Sequence, residues 1–103
     1  MGIVVAFEAH VRYENRQEYL KLLEKREKFF EELEEIKSVK IYQQTFGGVA
    51  DSYIELWEMD NMTDLDKFLP KVYRMEGFPE LASMIHGLIE PGKLERKIWT
   101  LIK

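Results

Sequence analysis

Three ionisable side chains, Glu8, His10 and Glu55, have the types and spacing of a proton-transfer site. Glu8 and His10 stand two residues apart in the β-branched and aromatic stretch 3–13, so they share one face of a predicted strand. Glu55 belongs to the alternating stretch 51–59, which predicts a neighbouring strand on which Glu55 would lie across from His10. A carboxylate beside an imidazole holds one tautomer and favours its protonation, which suits a general acid or base near neutral pH.

The alternative to catalysis is a structural network in which Glu8, Glu55 and Arg12 pair with one another around His10. A metal site built from the same carboxylates and His10 is not expected, because no recognisable ligand spacing supports it. His86 precedes Gly87 near a predicted helix end, where a cation complements the helix dipole, so we expect a capping role there.

Aromatic side chains provide candidate ligand contacts. The predicted ligand-binding residues are Arg12, Tyr42, Tyr53, Trp57 and Trp99. Together they could line a pocket for a flat or apolar molecule. The other reading is that the same rings fill the interior between two subunits, since a small closed barrel can be packed solid by its own side chains.

The strands and helices that position these residues can be predicted from the spacing of hydrophobic residues and from glycine and proline, which interrupt regular structure. The predicted elements are strands 3–13, 38–46, 51–59 and 94–102, a helix capped by Asn15 and running to about residue 36, a helix beginning near Asp64, and a short helix beginning near Pro79. Gly47-Gly48 predicts the hairpin turn, and Thr63 with Asp66 predicts a capping box. Pro70 predicts a kink or an early helix end, and Pro91-Gly92 a turn into the last strand.

This order of elements, β-α-β-β-α-β, predicts a ferredoxin-like α+β fold with a four-stranded antiparallel sheet and both helical regions on one face. The residues expected to face the helices are Ile3, Val5, Phe7, Val39, Ile41, Ile54, Leu56, Leu94 and Ile98. Those expected on the other face are Glu8, His10, Arg12, Tyr42, Gln44, Tyr53, Glu55, Trp57, Lys97 and Trp99. A face so rich in aromatic residues predicts a homodimer, a dimeric α/β barrel in which two sheets face each other.

Composition excludes several classes of protein. The chain has 103 residues, of which 46% are hydrophobic and 33% charged, as expected of one folded domain spanning 1–103. Its net charge of −4 gives no basic field for nucleic acid, and it has no cysteine for disulfides or thiolate chemistry. With no apolar run of membrane-spanning length and no leader in view, we expect a cytoplasmic protein with no membrane partner. The abundance of Glu and Lys is typical of thermophiles.

Two stretches resemble a known family. The segment from Gly47 to Leu69, with Leu56-Trp57-Glu58 and the acidic helix that follows, is similar to NIPSNAP-like proteins of the dimeric α/β-barrel superfamily, and so is Leu88-Ile89-Glu90-Pro91. The resemblance implies functions ranging from cofactor-independent oxygenases and isomerases to haem-degrading enzymes and regulatory ligand-binding domains. Haem degraders combine an Asn, a Trp and a His. Only the Trp, Trp57, is matched here, so haem is not expected.

The prediction is therefore a cofactor-independent oxygenase or isomerase acting on a small apolar or aromatic metabolite. Trp and Tyr side chains would grip that molecule, while His10 with Glu8 or Glu55 moves a proton. No cofactor is expected. The rival hypothesis is a non-catalytic dimeric module that binds a small molecule or only holds its own subunits together.

Overall fold

The computed structural model describes residues 2–47 and 52–103 and contains four strands and three α-helices in these ranges. The elements are β1 (Ile3–Val11), α1 (Arg16–Glu31), β2 (Ile36–Gln43), β3 (Ser52–Met59), α2 (Met62–Tyr73), α3 (Phe78–Gly87) and β4 (Ile89–Thr100). The strands form one antiparallel sheet in the order β2-β3-β1-β4. The predicted ferredoxin-like fold is confirmed, with β1 and β3 at the centre.

Several predicted boundaries move. Helix α1 ends at Glu31 and not near residue 36, because Ile36 already pairs with Met59 in the sheet. Strand β4 begins at Ile89, so Pro91-Gly92 lies inside it, where Gly92 has a φ of 75°. This is the end of the β1–β4 ladder at which the register shifts, between Ala9 and Val11. An irregular ladder tolerates a proline and a glycine in an edge strand.

The start of α2 and the effect of Pro70 differ from the prediction, whereas the break before α3 is found. The cap of α2 is Asn61, whose Oδ1 accepts a 2.9 Å hydrogen bond from the amide of Asp64, so Thr63 is already inside the helix. The helix continues past Pro70 and does not end early. Gly77 has a φ of 88° and precedes α3, as a helix breaker should.

The predicted turn and the first cap have mixed outcomes. Asn15 occupies the cap position of α1 but makes no capping hydrogen bond with its side chain. Gly47 has the left-handed backbone expected of a turn, with a φ of 76°. Gly48 and Asp51, the other end of the predicted turn and the first residue of the predicted strand, lie outside the described residues.

The core lies between the sheet and the helices. Odd-numbered residues of β1 and β3 point into it, and the core around α1 and α2 includes Ile3, Val5, Phe30, Trp57, Met59, Leu65, Phe68, Val72 and Phe78. A second group beside α3 includes Ala9, Val11, Tyr19, Leu22, Leu23, Tyr53, Leu81 and Ile85. These residues close one face of the sheet, which we call the helix-side face.

The facing predicted for β3 is wrong by one residue. Directly paired residues share a face, and Phe7 pairs with Glu55 while Val5 pairs with Trp57. The helix-side face therefore carries Tyr53, Glu55 and Trp57. Ile54 and Leu56 point to the opposite, open face, because side chains along a strand alternate.

Candidate functional site

A cavity of about 830 Å³ lies between the helix-side face of the sheet and the three helices. Its wall is mostly aromatic and aliphatic, and the lining residues that matter below are Phe7, Tyr19, Arg26, Tyr53, Glu55, Trp57, Tyr73, Phe78, His86, Arg96 and Ile98. A mostly apolar cavity with a few charged groups has the composition of a small-molecule site.

Trp57 is the centre of the aromatic wall. Its ring centroid lies 4.5 Å from that of Phe7, 5.0 Å from that of Phe30 and 5.8 Å from that of Phe68. These tilted and edge-on contacts fix the indole between the sheet and helices α1 and α2. The Nε1–H of Trp57 is buried and has no hydrogen-bond partner within the described part of the chain.

A buried ion pair in the cavity joins helix α1 to strand β3. Arg26 Nη2 contacts Glu55 Oε2, and the two side chains are only 11% and 6% exposed. The guanidinium also stacks on aromatic faces, with Cζ 5.1 Å from the ring centroid of Phe30 and 5.6 Å from that of Trp57. The pair thus places one cation and one carboxylate against the aromatic wall.

Burial shapes the protonation behaviour of this region. Removal from water lowers the pKa of Arg26 to about 10, against the opposing effects of the nearby Tyr19 and Tyr73. Arg26 therefore remains a cation at neutral pH. Burial also raises the pKa of Tyr19, which the charge of Arg26 opposes, and its ring centroid lies 5.4 Å from that of Tyr53. Tyr19 is therefore a neutral hydroxyl group at neutral pH.

The mouth of the cavity is more open and carries further charge. Leu69, Tyr73 and Ile98 line it and are 40%, 54% and 47% exposed. The exposed side chains of His86, from α3, and Arg96, from the edge strand β4, also line it. A ligand would thus pass charged and apolar groups before it reaches Trp57.

The predicted site residues divide between the two faces of the sheet. Tyr53, Glu55 and Trp57 line the cavity, as the ligand-binding or proton-transfer residues of one site would. The others do not line it, and they lie on the open face or at its edge: Glu8, His10, Arg12, Tyr42 and Trp99. The prediction that Glu55 lies across from His10 is wrong, because Ser52 is the partner of His10 in β3.

His10 has a different acidic partner. Its Nε2 lies 3.3 Å from Oε2 of Glu90, and the other oxygen of Glu90 accepts a 3.1 Å hydrogen bond from Nε of Arg12. The expected network of Glu8, Glu55 and Arg12 around His10 is therefore replaced by a different one, in which Glu90 near the start of β4 supplies the carboxylate to both His10 and Arg12. Nδ1 of His10 is buried and unpaired among the described residues.

Sequence reasoning missed Arg26, and a signal for it exists. The apolar stripe of α1 runs through Tyr19, Leu22, Leu23 and Phe30, and Arg26 occupies the position of that stripe four residues before Phe30. A cation on the buried face of a helix needs a buried partner. That partner is Glu55, which the sequence places on the wrong face of the sheet. The same error in the facing of β3 therefore hides the role of Arg26.

Other kinds of site find no support within the ranges 2–47 and 52–103. No group of three or more His, Asp or Glu side chains is close enough to hold a metal ion. No helix in the same ranges is long and apolar enough to cross a membrane. His86 lies in the last turn of α3, and its capping role stays a prediction.

Solved structures share this fold, although the sequence itself matches no family model and no curated protein. Among solved structures, a NIPSNAP family protein from Agrobacterium tumefaciens superposes with a TM-score of 0.81 at 19% identity, covering 100% of this chain and 95% of the other. A conserved protein from Methanosarcina mazei gives 0.79 at 19% identity, covering 99% and 94%.

SnoaB, a cofactor-independent oxygenase from Streptomyces nogalater, superposes with a TM-score of 0.76 at 12% identity, covering 99% of this chain and 94% of the other. Identities this low establish a shared fold and not a shared activity. At the level of the fold, the predicted resemblance is confirmed. The chain shares its fold with NIPSNAP family proteins.

Proposed function

We propose that this chain, acting as one domain over residues 1–103, is a cofactor-independent oxygenase or isomerase for a small apolar or aromatic metabolite. The observation that carries the proposal is the cavity of about 830 Å³, in which a buried Arg26–Glu55 pair lies against the aromatic wall around Trp57. The similarity in fold to SnoaB, described as a cofactor-independent oxygenase, supports the same reaction class.

Both reactions begin with removal of a proton from the substrate. Glu55 is the proposed base, since its carboxylate lines the cavity beside the aromatic wall around Trp57. Arg26 stabilises the resulting carbanion or enolate as a fixed cation. An isomerase returns the proton at another carbon. In the oxygenase, a CH₂ group and one O₂ become C=O and water, so O₂ is the oxidant.

A probe that needs no knowledge of the natural substrate can test this step. 2-Tetralone is a ketone with a fused benzene ring and acidic C–H groups beside its carbonyl. In D₂O the protein should speed the exchange of these hydrogens for deuterium, which NMR follows. Glu55→Gln should slow the exchange at least about 100-fold, the usual contribution of a positioned base. His10→Gln is the matched control, because His10 pairs with Glu90 on the open face and should be dispensable.

Binding can be followed separately from chemistry. Protein labelled with 5-fluorotryptophan gives two ¹⁹F resonances, from Trp57 in the cavity and Trp99 on the open face, assigned with Trp99→Phe. 2-Tetralone should shift the Trp57 resonance alone, both in the wild-type chain and in Glu55→Gln. Exchange that survives Glu55→Gln or fails in His10→Gln would contradict the assignment of the base.

The rival function, a non-catalytic binding module, is favoured by one observation. Glu55 is already engaged by Arg26, and a carboxylate held by a guanidinium is a weaker base. This rival predicts a shift of the Trp57 resonance with no deuterium exchange above the uncatalysed rate in any variant. The two functions are thereby separated in a single set of samples.

We also propose a cytoplasmic homodimer joined through the open face. Tyr42 and Trp99 are each 51% exposed there, and Ile54, Leu56 and Val4 lie between them on the central strands. Covering this apolar surface would stabilise a dimer. The Trp99 resonance should then change on dilution while that of Trp57 stays fixed. A Trp99 resonance independent of concentration, with a monomer mass in sedimentation, would contradict the dimer.

A further inference from the structure

The charge of the cavity lining differs in sign from that of the whole chain. The chain has a net charge of −4, yet the lining contains one acidic residue, Glu55, and the cationic residues Arg26, Arg96 and Lys97. Arg26 and Glu55 neutralise each other by direct contact. An acidic protein that places an unneutralised cation beside a cavity favours an anion there.

Arg96 is the cation left without a partner. Nζ of Lys97 lies 3.9 Å from Oε2 of Glu95, and Lys97 pairs with Ala6, whose side chain points to the open face. Arg96 instead pairs with Phe7 on the helix-side face. Within residues 2–47 and 52–103, its guanidinium makes no ion pair or hydrogen bond. It is therefore free to bind a ligand at the mouth.

The sheet register places this guanidinium in line with the aromatic wall. Arg96, Phe7 and Glu55 are direct neighbours on β4, β1 and β3, so they form one row across the helix-side face. Adjacent strands lie about 4.8 Å apart, which separates the backbone of Arg96 from that of Glu55 by roughly 10 Å. That distance suits a ligand with an anionic group at one end and an aromatic body resting on Phe7 and Trp57.

We infer that Arg96 is a specificity-determining residue, and that the cavity takes an aromatic or other apolar acid whose carboxylate pairs with the Arg96 guanidinium. This inference rests on the proposed function and names its substrate class. A carboxylate is favoured over a phosphate dianion because the cavity lining, as far as the structure describes the chain, holds a single unpaired cation, and because the Glu55 carboxylate lies in the same row. The planar fork of arginine matches a carboxylate with two parallel hydrogen bonds.

The experiment compares two ligands of equal shape, 2-naphthoate and 2-naphthamide, by isothermal titration calorimetry. The wild-type chain should bind 2-naphthoate about tenfold more tightly, the gain expected of a charge-assisted hydrogen bond. R96M should remove that preference and leave the affinity for 2-naphthamide unchanged, while R96K should retain part of it. R74M is the matched control, since Arg74 is exposed after α2, does not line the cavity, and carries the same charge.

The outcomes separate this inference from the proposed function. If both ligands shift the ¹⁹F resonance of Trp57 but R96M leaves the preference for 2-naphthoate intact, the role of Arg96 is overturned and the aromatic site survives. An equal loss of preference in R74M also overturns it, because overall charge would then be the cause. If neither ligand shifts Trp57, the aromatic site and the inference both fail. R96M and R96K should keep the wild-type circular dichroism spectrum, because Arg96 is exposed.

Discussion

The two faces of this sheet carry the same kinds of residue in opposite environments. Each has a tryptophan and an arginine–glutamate pair: Trp57 with Arg26–Glu55 on the helix-side face, and Trp99 with Arg12–Glu90 on the open side. On the first side the tryptophan is 8% exposed, and on the second it is 51% exposed. The comparison shows that burial, and not residue type, decides which group is fit to hold a ligand.

The consequence for chemistry is that only the helix-side pair can exert a strong electrostatic effect. Water screens the contact of Arg12 with Glu90, whose side chains are 64% and 25% exposed. The aromatic rings around Arg26 exclude water, so its charge is felt at longer range. This is the reason for assigning the proton-transfer role to Glu55 in place of His10.

The largest expected difference between the faces is in the tryptophans. Trp57→Ala should lower the free energy of unfolding by about 3–5 kcal/mol, because the indole contacts three phenylalanine rings in the core. Trp99→Ala should cost less than about 1 kcal/mol in dilute protein, since half of that side chain is already in water. Urea denaturation followed by circular dichroism measures both values.

The costs of these two substitutions should depend differently on protein concentration. If the open face joins two subunits, the cost of Trp99→Ala should grow with concentration, whereas the cost of Trp57→Ala should not. Equal costs for the two variants in dilute protein would contradict the difference in burial on which the comparison depends.

The next largest effect on stability should come from breaking the Arg26–Glu55 and Arg12–Glu90 ion pairs. Arg26→Met should destabilise the fold by about 3 kcal/mol, because it leaves the Glu55 carboxylate buried without a cation. Arg12→Met should cost at most about 1 kcal/mol, since Glu90 keeps access to water and to His10. The measurement is again the free energy of unfolding at pH 7. A cost for Arg26→Met no larger than that for Arg12→Met would show that Glu55 is well solvated.

The difference between the faces also explains how far the sequence could be interpreted. Strand β1 has apolar odd positions and increasingly polar even ones, so its facing was predicted correctly. In β3 both sets are partly apolar, with Tyr53 and Trp57 on one and Ile54 and Leu56 on the other. Aliphatic residues looked better suited to the core. In the fold the larger rings are buried instead, because burial of an aromatic ring removes more apolar surface from water.

The wrong facing of β3 also limited how much of the site could be predicted. Tyr53, Glu55 and Trp57 were recognised as functional candidates, but their partners came from helices and not from the rest of the sheet. The pairing of Arg26 with Glu55, and of Glu90 with His10, joins residues 29 and 80 positions apart. Periodicity reports the face of an element but not which elements meet, so a single sequence leaves such long-range pairs open.

The smallest expected effect on stability concerns Glu35, a buried carboxylate that follows α1 and contacts α2. Glu35 is 5% exposed and accepts a 2.5 Å hydrogen bond from Nζ of Lys71, which lowers the pKa of Glu35. A carboxyl whose pKa is lower in the folded state stabilises the fold fully above its unfolded value, and this contribution is lost as the pH falls through the lowered value. The same bond raises the pKa of Lys71, so the contribution is also lost at strongly alkaline pH.

Glu35→Gln should therefore weaken the dependence of stability on pH in the acid range, with a smaller effect than either pair of variants above. Glu32→Gln is the matched control, because that carboxylate is exposed and makes no ion pair within the described residues. Unfolding midpoints between pH 6 and pH 3 give the measurement. If both variants lose stability with acid as steeply as the wild-type chain, the bond to Lys71 contributes nothing, and burial of a carboxylate in this fold matters only beside the cavity.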